Sequence, residues 1–333
     1  MKRDFLRDDD FTPSEYQQVL EWALEFEKNH AFKQPFAKDL NDLTSVRDAV
    51  AVIFDKSSTR TRVSFETGVV ELGGHPLIID GASSQMGRGE SIADTARVLD
   101  KMVKMVVWRT FGQERVEEMA KYAKIPVINS LTDEFHPCQI VTDLACAAWY
   151  ITQRKGVHIK DAVRGLQGKT LVYFGDGANN MAHSYLLGSV NAGVNVRIAC
   201  PEEYSPNIEI VSKAKEIGKK TGASVLVTRN PEEGMKDADI VTTDAWLSMG
   251  MDVSEKGVRQ AAFLPYQVNA ETMKLAKPDA LFMHCLPAYR GQEVTEDVID
   301  NFVEDGGNSC VFKEAEFRLH AQKAIMTFLA QNQ

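Results

Sequence analysis

At 333 residues the chain is long enough for about two domains, each with its own core. Hydrophobic residues at 44% and charged residues at 26% describe a soluble globular protein. The net charge of −9, from 47 acidic against 38 basic residues, comes with no dense basic stretch, which argues against nucleic acid and anionic membrane as partners.

The first ten residues are charged and hold no apolar core, so no secretory signal is expected there. No apolar run approaches the roughly 20 residues of a membrane span, and the expected location is the cytoplasm. Thr12 to Glu15 read as a capping box with proline at the first helical position, and Val19, Leu20, Ala23, Leu24 and Phe26 follow at helical spacing. Short apolar runs then alternate with amphipathic segments: residues 50–54, 77–79, 105–107 and 127–128 are predicted strands. Ser91 with Asp94 caps one intervening helix, and Pro137 opens another that runs past Trp149. After a polar stretch at 152–168 a second series begins, with predicted strands at 170–174, 194–199, 224–227, 239–243, 281–284 and 310–312. Helices at 181–189 and 208–217 separate the first three of these. The last helix, from about 314 to 329, is long and amphipathic. The expected class is α/β: two domains, 1–150 and 151–313, each a parallel sheet flanked by helices, with the C-terminal helix 314–333 packing back on the first. The five cysteines, Cys138, Cys146, Cys200, Cys285 and Cys310, show no close paired spacing, so neither a disulfide framework nor a zinc site is expected.

The segment Ser57-Ser58-Thr59-Arg60-Thr61-Arg62 falls where a strand hands over to a helix. Free backbone N–H groups at a helix start, adjacent hydroxyls and a guanidinium fork suit a compact dianion, and phosphate fits best. A simple cap would need one of these residues and would explain neither arginine. Ligands of open parallel sheets bind beyond the carboxyl ends of the strands. Polar residues fall there repeatedly: Ser83, Ser84 and Gln85, then Arg109, then His136 and Gln139 in the first half, and Asp176, Asn179, Asn180, Asp244, Ser248, His284 and Cys285 in the second. Each alone has an ordinary reading, as a solvated arginine, a turn aspartate, a cap or a core cysteine. Their joint placement at strand ends argues for function, in a cleft shared by the two domains that binds two reactants. The Gly175-Asp176-Gly177 turn is weak evidence for a dinucleotide, because Asn180 occupies the third glycine position, and nothing matches a P-loop.

Ser58-Thr59-Arg60-Thr61-Arg62, His136-Pro137-Cys138-Gln139, Asp244 with Ser248-Met249-Gly250, His284-Cys285-Leu286-Pro287, and Glu314-Ala315-Glu316 before Arg318 together resemble the aspartate/ornithine carbamoyltransferase family. The resemblance covers essentially the whole chain, and the Ser-Met-Gly and His-Cys-Leu-Pro segments are similar to those that separate its ornithine enzymes from its aspartate enzymes. It implies transfer of a carbamoyl group from carbamoyl phosphate to the δ-amino group of ornithine, giving citrulline and phosphate in arginine metabolism, with no cofactor and no metal. It implies that the domain 1–150 binds carbamoyl phosphate and 151–313 ornithine. By the same resemblance Ser58, Thr59, Arg60 and Thr61 hold the phosphate, Arg109, His136 and Gln139 meet the carbonyl oxygen and amide, and Arg318 makes a further contact. Gln85 matches a residue whose loop reaches into a neighbouring subunit's site, implying a homotrimer. Asn180, Asp244, Ser248 and Met249 match positions that hold ornithine, while Cys285 and Leu286 lie beside the reacting amine and the carbamoyl group. Arg109, His136, Asp244 and Cys285 are thus the expected catalytic residues. Phe317 stands where the family commonly has asparagine. A relative acting on putrescine or N-acylated ornithine would dispense with α-amino contacts, which Asp244 and Ser248 argue against; a silent phosphate-binding relative would be free to lose Arg60, Arg109, His136 or Cys285.

Overall fold

The computed structural model describes residues 2–37, 47–247 and 256–332. The chain divides into two compact units, Met1–Ala145 with Glu316–Gln333, and Cys146–Ala315.

In the first unit, β1 (Ala49–Phe54), β2 (His75–Asp80), β3 (Met105–Arg109) and β4 (Val127–Leu131) form a parallel sheet in the order β2-β1-β3-β4. The inner strands carry near-continuous apolar runs because helices cover them on both faces. One face packs Ala51, Ile53, Val106, Trp108 and Val127 against Val116 and Met119 of α4 (Gln113–Tyr122) and Ala96 of α3 (Ile92–Leu99). Helix α1 (Pro13–Lys28) starts at the expected capping box: Thr12 accepts from the Glu15 amide, the Glu15 carboxylate accepts from the Thr12 amide at 2.8 Å, and Arg3 grips that carboxylate at 2.6 and 3.0 Å.

The C-terminal helix α13 (Val311–Gln331) packs back on α2 (Thr59–Glu71) in this unit, as expected. The two helices meet at Gly68, where even an added Cβ would be in ordinary van der Waals contact with Lys323, Leu319 and Met326, at 3.4–3.5 Å. Lys323, buried on α13, forms an ion pair with Glu71 at the end of α2.

In the second unit, β5 (Thr170–Phe174), β6 (Asn195–Ala199), β7 (Val225–Thr228), β8 (Ile240–Thr243) and β9 (Leu281–His284) form a parallel sheet in the order β7-β6-β5-β8-β9. Val172, Phe174, Val241 and Phe282 pack in its core with Met235 of α9 (Pro231–Met235), Met273 of α11 (Ala270–Met273) and Val298 of α12 (Glu296–Ile299). Helices α7 (Asn180–Asn191) and α8 (Ile208–Thr221) are capped by Asn179 and Asn207, whose side chains accept from the first-turn amides.

One expectation is overturned. The predicted strand at 310–312 is wrong: Ser309 makes isolated bridges to Phe282 and Phe302, and from Val311 the chain is already helical, with the Glu314 amide donating to the Cys310 carbonyl at 2.8 Å. Three apolar residues carry no periodicity that tells a strand from the buried start of a helix. The polar stretch at 152–168 is largely helical, holding the end of α5 (Pro137–Lys155) and α6 (Ile159–Arg164). The unit boundaries also fall inside continuous helices, at 145/146 in α5 and 315/316 in α13.

Each sheet order reverses once, between β1 and β3 and between β5 and β8. At such a switch point the following connections diverge and leave an opening beyond the strand ends. Register places Phe54 beside Arg109 at the first opening and Phe174 beside Thr243 at the second.

Candidate active site

In the first unit Ser58 caps α2, its Oγ accepting from the Thr61 amide at 3.2 Å and donating to Thr61 Oγ1 at 3.0 Å. Thr59 and Arg60 occupy the first two helical positions, so both sit where the amides of α2 lack carbonyl partners within the helix. Thr61 is buried, and Arg318 of α13 donates to its hydroxyl at 2.7 Å. The same guanidinium donates to Gln139 Oε1, while Gln139 Nε2 donates to Asp143 Oδ1 at 2.7 Å. Gln139 and Asp143 are one turn apart on α5, and both are buried.

Arg109 ends β3, where register against β4 skips Ser130. This irregularity occurs at the switch-point edge, as bulges beside functional sites do. His136, just before α5, is buried near Arg318 and Arg109; burial first, and then the two guanidinium charges, hold its pKa well below the ordinary 6.5. Its imidazole is therefore neutral at pH 7, leaving one ring N–H to donate. Behind the strand ends, Asp55 accepts from Thr110 Oγ1 at 2.5 Å and Arg115 Nη2 at 3.3 Å, which ties the β1 and β3 exits together.

In the second unit the opening is acidic rather than cationic. Asp244 follows β8, and Cys285 Sγ donates to its Oδ1 at 3.3 Å. Burial pushes the Asp244 carboxyl above the ordinary 3.8, an effect the neighbouring His284, the Ala245 amide and Cys285 partly oppose. Beside it, His284 Nδ1 accepts from the Leu286 amide at 2.9 Å, which puts the ring proton on Nε2, 3.1 Å from Glu293 Oε1. Ligand atoms of Asp244, His284 and Cys285 lie within 4.8 Å of one another, a donor set with metal-binding chemistry, but both ring nitrogens of His284 are committed to protein partners. Leu286 itself has φ +57, a left-handed conformation that side chains seldom adopt and that clusters at functional sites. Asn180 is the first residue of α7, half-buried at the end of the β5 turn.

The structure thus brings Ser58, Thr61, Gln139 and Arg318 into one hydrogen-bonded set, with His136 and Arg109 in electrostatic contact. It brings Asp244, Cys285 and Leu286 together beyond neighbouring strands β8 and β9. Gln85 is exposed on the loop after β2, and among the described residues its side chain makes no bond to the cluster. Ser248 and Met249 lie outside the described residues. Phe317 is fully buried against His320, and Arg318 is held by Thr61 and Gln139.

Sequence reasoning missed several supports. Arg259 of α10 (Lys256–Phe263) ion-pairs with Asp176 and donates to the Trp246 carbonyl at 2.6 Å, binding the β5 and β8 exits together. Glu293 and Glu314 are buried on His284, the latter accepting from its backbone amide at 2.8 Å.

Comparison with known proteins follows the same division. The model of the aspartate/ornithine carbamoyltransferase carbamoyl-P binding domain matches residues 3–148, and that of the Asp/Orn binding domain matches residues 167–329. The chain is 55% identical over 327 residues to an ornithine carbamoyltransferase of Bifidobacterium longum subsp. infantis, covering 98% of this chain and 95% of that protein. Identity is 50% to one from Renibacterium salmoninarum, with 99% of each chain covered. Among solved structures, ornithine carbamoyltransferase from Pyrococcus furiosus superposes with a TM-score of 0.84 at 40% identity, covering 98% of this chain and 96% of that one. The anabolic enzyme from Campylobacter jejuni gives a TM-score of 0.86 at 33% identity, with both chains covered in full.

Proposed function

The chain belongs to the aspartate/ornithine carbamoyltransferase family, and on that premise we propose that it transfers the carbamoyl group of carbamoyl phosphate to the δ-amino group of L-ornithine, giving L-citrulline and phosphate in arginine metabolism. The observation that carries this reading is the buried set Thr61, Gln139 and Arg318, with Arg109 and neutral His136 alongside, at the β1/β3 switch point. That set fits a small, doubly charged acyl phosphate, and Asp244 with Cys285 fits an amine.

In this reading residues 1–150 with 314–333 take the donor and 151–313 take the acceptor, which accords with the domains the two family models describe. Ser58, Thr59 and Arg60 receive the phosphate at the amino end of α2. Thr61, Arg109 and His136 polarise the carbonyl and stabilise the oxygen as its negative charge grows. A neutral His136 serves as a donor that does not compete for the amine's proton. Gln139 and Arg318 complete the carbamoyl side. Asn180, Asp244, Ser248 and Met249 hold ornithine, while Cys285 and Leu286 border the reacting nitrogen.

A free alkylamine is protonated at about pH 7, so the δ-ammonium must lose a proton before it attacks. Asp244, its carboxyl raised by burial and bonded to Cys285, is the acceptor for that proton. The amine nitrogen then forms a bond to the carbonyl carbon, and collapse of the tetrahedral intermediate breaks the carbon–oxygen bond to phosphate, which departs with the second proton that the nitrogen sheds. No covalent cysteine intermediate is needed.

We assign Gln85 to a neighbouring subunit's site and the active form to a homotrimer. Such an association would cover apolar residues exposed in the first unit, among them Val63, Val70 and Met102. A cytoplasmic location accords with the absence, among the described residues, of any helix long and apolar enough to cross a membrane. The test is citrulline formation from carbamoyl phosphate with ornithine, putrescine, acetylornithine, lysine and aspartate offered in turn. Turnover with ornithine is expected, and turnover with putrescine but not ornithine overturns the acceptor assignment.

A further inference from the structure

A buried amide that serves as both donor and acceptor is informative because its two ends look alike in shape and differ in charge. Gln139 is such a group. Its Oε1 accepts from Arg318 Nη1, its Nε2 donates to Asp143 Oδ1 at 2.7 Å, and Arg318 Nη2 reaches Thr61 Oγ1 at 2.7 Å. All four residues are buried, so water cannot substitute for a misdirected partner. Turned the other way, the amide would present an NH2 to a guanidinium, two donors face to face. Only a strong acceptor on the far side excludes that arrangement, and a carboxylate accepts without being able to donate.

We infer that Asp143 is a positioning residue for the carbamoyl phosphate half-site: it fixes the Gln139 amide with its oxygen toward Arg318, which in turn holds Arg318 on Thr61 at the phosphate cradle. The inference rests on the function proposed above. Asp143 lies one helical turn beyond Gln139 and close to Tyr16, with Asp8 and Cys138 also near that phenol. It therefore belongs to the wall behind the site. Substrate would be touched by Arg318, Gln139 and Thr61, and Asp143 would act through them.

The test changes Asp143, the member of the set that stands behind the site. Asp143→Asn keeps the shape but can donate as well as accept, so it no longer forces the Gln139 oxygen toward Arg318, and its KM for carbamoyl phosphate is expected to rise at least tenfold while KM for ornithine stays within twofold. Asp143→Glu keeps an acceptor that cannot donate, and its KM for carbamoyl phosphate is expected to lie at least threefold below that of Asp143→Asn. An Asp143→Asn enzyme whose KM for carbamoyl phosphate is unchanged, or whose two KM values rise together, overturns the inference, as does an Asp143→Glu enzyme no better than Asp143→Asn. If instead the unaltered enzyme forms no citrulline from ornithine, the functional reading fails. Inorganic phosphate binding measured by calorimetry then decides the inference separately: it is expected to weaken in Asp143→Asn and to be better kept in Asp143→Glu, and equal binding by the unaltered protein and Asp143→Asn overturns it.

Discussion

The two strand-end openings are built on the same topology and differ in how their groups are held. In the first unit the polar groups come from distant parts of the chain, Thr61 from α2, Gln139 from α5 and Arg318 from α13, and they are bonded to one another. In the second unit the groups are close along the chain or on adjacent strands, Asp244 and Cys285 at the ends of β8 and β9. The donor is a polyanion, which needs several cations confined in one place, and confined cations need fixed partners. The acceptor is an amine that must lose a proton, which needs one carboxylate in a dry setting.

The largest effect should follow from cutting the long-range set. Replacing Arg318 with Met leaves Thr61 and Gln139 without their shared donor and, on the proposed reading, removes a cation from the carbamoyl phosphate half-site, so kcat/KM for carbamoyl phosphate should fall about 1,000-fold, or roughly 4 kcal/mol. Steady-state kinetics measures this, and a loss under tenfold would make the set merely structural. Asp244→Asn should act on the other half alone: kcat falls about 100-fold while KM for carbamoyl phosphate holds within threefold. A parallel loss of carbamoyl phosphate binding would erase the division between the two openings.

A subtler contrast concerns His136. Its folded pKa is depressed, so the unfolded chain binds the extra proton first. The stability it contributes is complete above its ordinary value of 6.5 and is lost as pH falls toward the depressed folded value. Urea unfolding at pH 7.5 and 5.5 should show His136→Gln losing about 1 kcal/mol less than the unaltered protein on acidification. Equal losses would mean that the imidazole is not held neutral by its surroundings.

The smallest effect belongs to the periphery. Arg3 holds the Glu15 carboxyl down to about 2, so its part in the α1 cap is fully present above its ordinary 4.5 and is lost as pH falls from there through about 2. Glu15→Gln should cost no more than about 1 kcal/mol in thermal unfolding, since the site is partly open to solvent. A loss of activity in this variant would tie the cap to the donor half after all.

How legible each half was in the sequence follows the same division. Asp244 and Cys285 directly follow strand-like runs and Asn180 follows the turn after one, and local reading is enough to set them at strand ends. Ser58 to Thr61 announce themselves by composition. Arg318 does not, because nothing local links it to Thr61, and only its place in a family-like segment marked it. Asp143 and Glu293 were silent because a buried carboxylate on a helix or loop looks the same as a solvated one until its partners are known. The strand expected at 310–312 failed for a related reason: the single Ser309 bridge to β9 is a pairing too short to leave a period.

The first unit is also discontinuous in the chain, since residues 316–333 complete it after the whole of 146–315 has intervened. During synthesis on the ribosome residues 146–315 are complete before Arg318 exists, so the guanidinium that bonds Thr61 arrives only after the whole second unit has been made. A nascent chain stalled before position 318 would hold every residue of the second unit and a first unit lacking the guanidinium that joins Thr61 to Gln139. Translation itself therefore sets an order in which the two units can be completed.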